Sequence, residues 1–175
     1  MISNKQLREF IAESNRIEDV WDPAEIKNSV KAWNHIKNKS EITEKDLLCV
    51  HRCIMKNLWP EIAGKFRDCW VRVGNRLCPS PVESYALILA WIERWGKGIK
   101  IIATPETTRE QWAILKSRAA KRAHIEFEHI HFATDGNGRA GRLLYLWHRE
   151  KAGLPFQIIR YADRAEYYKW FEDSK

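Results

Sequence analysis

The stretch between residues 127 and 142, FEHIHFATDGNGRAGR, concentrates side chains that can handle a nucleoside triphosphate. His131 can accept a proton near neutral pH, because an imidazole titrates in that range. Asp135 offers a hard carboxylate oxygen of the kind that magnesium binds together with phosphates. An imidazole four residues before such a carboxylate indicates proton abstraction beside a metal-bound phosphate.

A glycine-rich turn follows the acid and extends the pattern to anion binding. Gly136 and Gly138 allow backbone conformations in which consecutive N–H groups, that of Asn137 included, curl around a phosphate. A helix that starts there adds positive potential. Arg139 and Arg142 would share one face of that helix and could each fork onto phosphate oxygens. A plain helix–turn–helix with solvated charges is the alternative, and the combination of these residues at fixed spacing disfavours it.

The stretch 131–142, HFATDGNGRAGR, resembles the signature of Fic-domain proteins, His-Pro-Phe-x-(Asp/Glu)-Gly-Asn-Gly-Arg-x-x-Arg. The resemblance implies transfer of AMP from ATP to a hydroxyl side chain of a target protein. It implies that His131 is catalytic and that Asp135 binds Mg²⁺. The residues that it assigns to ATP binding are Gly136, Asn137, Gly138, Arg139 and Arg142.

Two residues depart from that signature. Phe132 stands where proline is usual and Ala133 where phenylalanine is usual, so either Ala133 leaves a gap in the core or Phe132 fills it. These departures keep open a weakly active, Fic-like binding protein. Transfer of another nucleotide or of phosphocholine by the same scaffold also stays open. A kinase-like transfer is disfavoured, because such relatives resemble Gly-Asn-Lys where this chain has Gly138.

Residues 69–78 alternate, turn at Gly74 and return, as a β-hairpin does. A two-stranded hairpin on a helical body has open edges, and the residues alone leave a decorative loop equally open. Together with residues 64–67, GKFR, the segment resembles the Fic flap, which holds an extended target segment by strand addition. The resemblance assigns target binding to Val71, Arg72 and Val73.

Ser14 and Glu18 resemble the Fic inhibitory motif, (Ser/Thr)-x-x-x-Glu-(Gly/Asn), with Asp19 as a departure at the last position. The resemblance implies that Glu18 pairs with Arg142 and blocks productive seating of the ATP γ-phosphate, since a carboxylate and a phosphate compete for the same guanidinium. An ordinary helix end is the alternative. We therefore expect an inhibitory helix in residues 1–20 and a Fic domain in residues 21–175, with its core at about 47–170.

Apolar residues recur at helical spacing through most of the chain, and the fold class expected is all-α, a Fic-type helical bundle with a small β-hairpin flap. Thr107 and Glu110 predict a capping box for a long helix that delivers His131 at its C-terminal end. The apolar stripe predicted for that helix is Trp112, Leu115, Ala119, Ala123, Phe127 and Ile130.

Composition favours one folded domain, because 45% of the 175 residues are hydrophobic and nine are tryptophan. The N-terminus lacks an apolar signal region, and the longest apolar run, 85–92, is too short to span a bilayer. We therefore predict a cytoplasmic protein without a membrane partner, with delivery into another cell left open. The four cysteines form no metal-binding pair in the sequence.

The net charge of +7 suits a cleft that handles nucleotides as well as it suits nucleic acid. The densest basic cluster, residues 116–122, falls on a predicted helix, where it is explained as a solvated face. The expected partner is therefore a target protein with a Ser, Thr or Tyr hydroxyl, the chain itself included, rather than nucleic acid. A zinc site between His124 and Asp135 is disfavoured because the spacing His-Glu-x-x-His is lacking.

Overall fold

The computed structural model of the protein describes residues 2–101 and 104–172. Within these ranges the chain forms seven α-helices, one two-stranded hairpin and one turn of 3-10 helix. In chain order they are α1 (Asn4–Ile17), α2 (Pro23–Ile36), α3 (Glu44–Met55), β1 (Arg72–Val73), β2 (Arg76–Leu77), α4 (Pro81–Trp95), α5 (Arg109–Ile130), α6 (Asn137–Lys151), the 3-10 turn (Tyr161–Asp163) and α7 (Arg164–Glu172).

Local sequence fixes where four of the helices begin. Each starts with a reciprocal capping box, in which a hydroxyl accepts a backbone N–H and a side chain three residues later returns the bond. The pairs are Ser3 with Gln6, Thr43 with Asp46, Ser80 with Glu83, and Thr108 with Gln111. The box predicted at Thr107 and Glu110 was therefore wrong by one residue, because the Thr108 hydroxyl is the one that accepts a hydrogen bond from the start of α5.

Helix α6 is the centre of the bundle, and its residues from Asn137 to Arg149 are almost all buried. Its apolar side chains join a core to which α1, α2, α3, α4 and α5 contribute. The stripe predicted for α5 is correct for its C-terminal half, where Ala123 and Phe127 are fully buried. It was wrong for the N-terminal half, where Leu115 is 39% exposed.

A smaller apolar cluster joins the two ends of the described chain. Ile17, at the end of α1, packs there with Tyr145 of α6 and Tyr167 of α7. Helix α1 also places Phe10 and Ile11 in the main core, where each is 1% exposed. The segment predicted as an inhibitory helix therefore packs as part of the same body as the rest of the chain.

The hairpin is antiparallel, with Arg72 opposite Leu77 and Val73 opposite Arg76. Its strands are two residues long, shorter than the sequence pattern of residues 69–78 predicts, although the Cys78 N–H donates one further hydrogen bond to the Val71 carbonyl at 3.0 Å. No helix in the described part of the chain is long and apolar enough to cross a membrane.

Candidate active site

A cleft of about 1700 Å³ lies between the hairpin, the N-terminus of α6 and helix α7. Seven of the residues predicted to form a site line it: Glu18, Val73, His131, Asp135, Asn137, Gly138 and Arg142. Val71 and Arg72 belong to the hairpin that forms one wall. The others, Ser14, Gly136 and Arg139, lie directly behind the lining.

His131 caps the C-terminus of α5 in a left-handed backbone conformation, with φ of 51°. Non-glycine residues rarely adopt this conformation, and they keep it only where surrounding contacts determine it. Here the Arg67 Nε donates a hydrogen bond to the His131 carbonyl at 2.7 Å. The backbone contacts thus present the imidazole to the cleft at the point where the helix stops.

Phe132 settles how the loop after His131 is packed. Its ring is 1% exposed and lies against His51, Phe66 and Phe127, with ring centroids 5.4, 5.8 and 5.6 Å away. Ala133 is completely buried beside it. Phe132 therefore fills the core beside Ala133.

Asn137 locks the loop by two hydrogen bonds to one residue. Its side-chain oxygen accepts from the Ala133 N–H at 3.1 Å, and its amide donates to the Ala133 carbonyl at 2.8 Å. Gly136 is the N-cap of α6, with φ of 78° and no side-chain cap. The first N–H groups of α6 are therefore left for an anion, as a phosphate-binding helix N-terminus requires.

A carboxylate of the protein itself, that of Glu18, already lies at this helix end. The Glu18 Oε1 is 2.7 Å from the Arg142 Nη2, and a Cβ built on Gly138 would overlap the same carboxylate. The Arg142 Nε also donates to the Ser14 hydroxyl at 2.8 Å, and its Nη2 donates to the Ser14 carbonyl at 2.9 Å. The predicted pairing of Glu18 with Arg142 is thus present.

Glu18 and Arg142 each favour the charged form of the other. Burial opposes ionisation of Glu18, yet the Arg142 guanidinium outweighs it and lowers the pKa of the carboxyl below its usual value. Burial also disfavours a charged Arg142, but Tyr167 and Glu18 raise the pKa of the guanidinium. Because the Glu18 side chain is still 33% exposed, water and competing anions can reach the contact from the cleft.

Arg139 is 4% exposed and points away from the cleft, towards the core. Its Nη2 lies 3.1 Å from the Met55 sulfur, and within the described chain its Nε has no hydrogen-bond partner. Burial lowers the pKa of this guanidinium. Arg139 therefore places positive charge behind the helix end without a carboxylate bound to it.

His131 is uncharged at neutral pH. Burial, then the nearby Arg76 guanidinium, lower the pKa of its imidazole to about 4. A neutral imidazole can accept a proton without first losing one, so this environment suits a general base.

Asp135 is exposed at the loop, and its Oδ1 accepts a hydrogen bond from the Gly136 N–H at 2.6 Å. Its carbonyl is held by the His51 Nε2 at 2.7 Å. The His51 Nδ1 accepts from the Gly64 N–H at 2.9 Å, so the proton of this neutral imidazole is on Nε2. This role of His51 was not predicted, because its two partners are 13 and 84 residues away in the sequence.

One carboxylate fits a magnesium ion that is held mainly by phosphates and water. Across residues 2–101 and 104–172, no three His, Cys, Asp or Glu side chains group closely enough to hold a metal ion by themselves. A magnesium ion at Asp135 would therefore depend on the nucleotide for most of its ligands.

Tyr167 and Glu128 also line the cleft next to Arg142, and neither was predicted as a site residue. The Tyr167 hydroxyl accepts from the Arg142 Nη1 at 3.3 Å and lies 2.9 Å from the His124 Nε2. Glu128 lies nearby, where burial raises the pKa of its carboxyl to about 8. Both contacts join helices that are distant in sequence, so no local pattern reports them.

The described hairpin presents an open edge next to the cleft. Val73 is 43% exposed and Leu77 is 52% exposed, and both line the cleft. An open strand edge of this kind can pair with an extended segment of another chain.

Comparison with known proteins shows the family to which the chain belongs. A sequence model of the Fic/DOC family matches residues 41–148. The "Protein adenylyltransferase Fic" of Drosophila erecta is 36% identical over 134 residues, which are 77% of this chain and 25% of that protein. The protein of the same name from Culex quinquefasciatus is 32% identical over 136 residues, with the same two shares. The chain thus spans about a quarter of the length of these relatives.

Solved structures resemble the fold as a whole. A C. elegans Fic-1 fragment matches with a TM-score of 0.69 at 22% identity, covering 97% of this chain and 58% of that one. A Fic domain containing signaling protein from Bacteroides thetaiotaomicron matches with a TM-score of 0.70 at 20% identity, covering 95% and 70%. The all-α bundle with a small hairpin, predicted from the sequence, is confirmed.

Proposed function

Because the chain belongs to the Fic/DOC family, we propose that it is a protein adenylyltransferase, which moves AMP from ATP to a hydroxyl side chain of a protein. The observation that carries this proposal is the content of one cleft. A neutral imidazole, His131, shares it with an anion-binding helix end at Gly138 and with the open hairpin edge at Val73. A base, a phosphate site and a site for an extended chain are what such a transfer needs.

In the proposed reaction, the phosphates of ATP lie at the N-terminus of α6, where Arg142 faces them and Arg139 adds positive charge from behind. His131 accepts the proton of the target hydroxyl while that oxygen forms a bond to the α-phosphorus. The bond from the α-phosphorus to the bridging oxygen breaks, and pyrophosphate leaves with that oxygen and its charge. The product is an AMP ester of the target side chain.

Asp135 is the residue that would hold Mg²⁺, and the ion, when bound, neutralises charge on the phosphates. His51 fixes the Asp135 carbonyl, and Asn137 fixes the loop on both sides of the acid. These contacts support the carboxylate in one position before ATP arrives.

We further propose that Glu18 limits the reaction. Its carboxylate occupies the place at Arg142 and Gly138 where a terminal phosphate would sit, so ATP must either displace it or bind out of line. Ser14 supports this arrangement, because it holds the same guanidinium by its hydroxyl and its carbonyl.

The target is proposed to be a protein segment with a Ser, Thr or Tyr hydroxyl that pairs with the hairpin edge at residues 71–73, the chain itself included. The filled core at Phe132 supports an active enzyme over a weakly active binding protein, since it supports the loop that carries His131. Another nucleotide or phosphocholine as the donor is the alternative that the experiment below separates.

The test is incubation with magnesium and ATP labelled on the α-phosphate, followed by mass spectrometry of the protein. Glu18→Gly should gain covalently bound AMP about 10²-fold faster than the parent, because an attack geometry misaligned by about 1 Å costs roughly that factor. Asp19→Gly is the matched control: it removes the neighbouring carboxylate, at a φ of 55° that suits glycine, and should stay at the parental rate.

Two results would count against the proposal. If Glu18→Gly gains no label from ATP but gains mass from another nucleotide or from CDP-choline, the donor is wrong. If Glu18→Gly and the parent gain AMP at the same rate, Glu18 is not a brake. Glu18→Gly combined with His131→Ala should gain no AMP, which separates transfer at this site from chemical labelling.

A further inference from the structure

Arg67 joins three separate segments at the edge of the cleft. It is 4% exposed, and its guanidinium donates to three backbone carbonyls: Nε to His131 at 2.7 Å, Nη1 to Cys69 at 2.9 Å and Nη2 to Pro79 at 2.5 Å. Its own N–H donates to the Phe132 carbonyl at 3.1 Å. Cys69 precedes the hairpin and Pro79 follows it, so one side chain ties both ends of the hairpin to the end of α5.

The geometry of these bonds requires an arginine. Its planar guanidinium carries five N–H donors in a fixed arrangement, and charged donors make short, strong bonds to carbonyls. A lysine has three donors on a single nitrogen and no fixed plane, so it cannot hold three carbonyls in one arrangement. Arg67 therefore sets the relative position of the three segments in addition to satisfying their carbonyl groups.

The position of His131 needs such support. Its left-handed backbone persists only where neighbours determine it. Among the described residues, the Ser84 hydroxyl also lies near the His131 carbonyl, and its contact at 3.5 Å is far weaker than the Arg67 hydrogen bond at 2.7 Å. The direction of the imidazole thus depends mainly on the arginine that also holds the hairpin.

We propose that Arg67 is a positioning residue that fixes the target-binding edge of the hairpin relative to the His131 imidazole. This inference rests on the proposed function. A target segment paired with residues 71–73 then presents its hydroxyl at one set distance from the base. Arg67 does not itself line the cleft, and its three side-chain hydrogen bonds go to carbonyls outside α6. It therefore acts on transfer and leaves the ATP phosphates alone.

Arg67 also belongs to the charged groups around His131. Besides burial, the Arg76 and Arg67 guanidinium groups lower the pKa of the imidazole, while the Asp135 carboxylate and the Glu128 carbonyl raise it. Replacing Arg67 with lysine keeps a positive charge and loses the arrangement of carbonyls. Replacing it with methionine loses both, so the two variants separate position from charge.

The experiment uses Glu18→Gly as the active background and adds Arg67→Lys, Arg67→Met or Arg94→Met. Arg94 is the control, since its side chain is 59% exposed and pairs with Glu126 away from the cleft. The rate of AMP addition at saturating ATP is measured across pH, with ATP affinity measured by calorimetry. Arg67→Lys should lose about 10²-fold in rate, as expected for a displacement of about 1 Å, with ATP affinity within about twofold of the background.

The pH profile and the affinity distinguish positioning from simple loss of structure. With Arg67→Lys the acid limb of the profile should stay in place, whereas with Arg67→Met it should move to higher pH. A purely structural role would lower the melting temperature, and rate and ATP affinity would fall in parallel. If Arg67→Met is unfolded at the assay temperature, Arg67→Gln, which keeps donors for fewer carbonyls, replaces it.

The outcomes separate this inference from the proposed function. If Glu18→Gly transfers AMP and Arg67→Lys transfers it at the same rate, the inference is overturned and the proposed function stands. A parallel fall of rate and ATP affinity also overturns it. If Glu18→Gly transfers no AMP, the proposed function fails, and the inference fails with it.

Discussion

Replacing Glu128 with glutamine should make the protein more stable at neutral pH, and by an amount that grows with pH. The Glu128 side chain is 13% exposed, its Oε1 lies 4.0 Å from the His124 Nδ1, and that oxygen has no hydrogen-bond partner within the described chain. Burial, more than any charge, raises the pKa of the carboxyl from 4.5 to about 8. The folded state therefore keeps a proton that the unfolded chain releases.

The magnitude follows from these two pKa values. A protonated Glu128 favours the folded state. The contribution of Glu128 to the free energy of unfolding is therefore complete below about pH 4.5 and is lost as the pH rises towards 8. Each pH unit inside that window costs about 1.4 kcal/mol. Between pH 5 and pH 7, the free energy of unfolding of Glu128→Gln should therefore rise relative to the parent by up to about 2.5 kcal/mol. Buried His148, whose pKa burial lowers to about 4, acts oppositely in both proteins and cancels.

Urea unfolding followed by tryptophan fluorescence at pH 5, 6 and 7 measures this difference directly. Glu126→Gln is the matched control on the same helix, because its carboxylate forms surface pairs with Arg94 and Arg122. The control should change stability by the same small amount at each pH. A difference between Glu128→Gln and the parent that is equal at pH 5 and pH 7 would falsify the assignment of a buried, protonated acid.

Three further predictions concern the proposed reaction. His131→Ala should abolish AMP transfer while ATP affinity, measured by calorimetry, changes little, because the phosphates bind at α6; transfer at the parental rate would exclude His131 as the base. Asp135→Ala should slow transfer and weaken its dependence on magnesium in a titration, and an unchanged titration curve would point to another ligand. Adding Arg142→Ala to Glu18→Gly should erase the gain in AMP transfer, since both changes act on one contact; independent effects in the double-mutant cycle would separate them.

The sequence predicted those parts of the site that lie within one continuous segment. Residues 131–142 fold into a helix end, a glycine turn and a helix start, and local spacing determines that order. The pairing of Glu18 with Arg142 was also expected, although it spans 124 residues, because a motif at each end pointed to it. Membership of the family was predicted from the motif of residues 131–142, and the helical fold was predicted from the helical spacing of apolar residues as well.

The contacts that support the site could not be read in this way. His51 contacts the backbone carbonyl of Asp135, and Arg67 contacts that of His131. Because every residue carries a backbone carbonyl, the sequence does not show which of them a side chain will contact. Tyr167 reaches Arg142 only because α7 packs beside α6. The prediction for the N-terminal half of α5 was wrong for a related reason. Apolar spacing predicts which face of a helix is apolar, but it does not show whether other helices extend far enough to cover that face.

The anchoring of α1 separates two ways in which Glu18 could leave Arg142: detachment of the whole helix, and movement of the Glu18 side chain alone. Leu7, Phe10 and Ile11 are buried in the main core, and exposing three such side chains would cost roughly 5–9 kcal/mol. Fewer than about one molecule in 10³ would then have a detached helix at any moment, by the tenfold change for each 1.4 kcal/mol. Glu18 lies just beyond the last turn of α1, so a change of its side-chain rotamer breaks the ion pair with Arg142 and leaves the helix docked. Basal turnover would thus depend on the side-chain equilibrium of Glu18, while α1 stays docked.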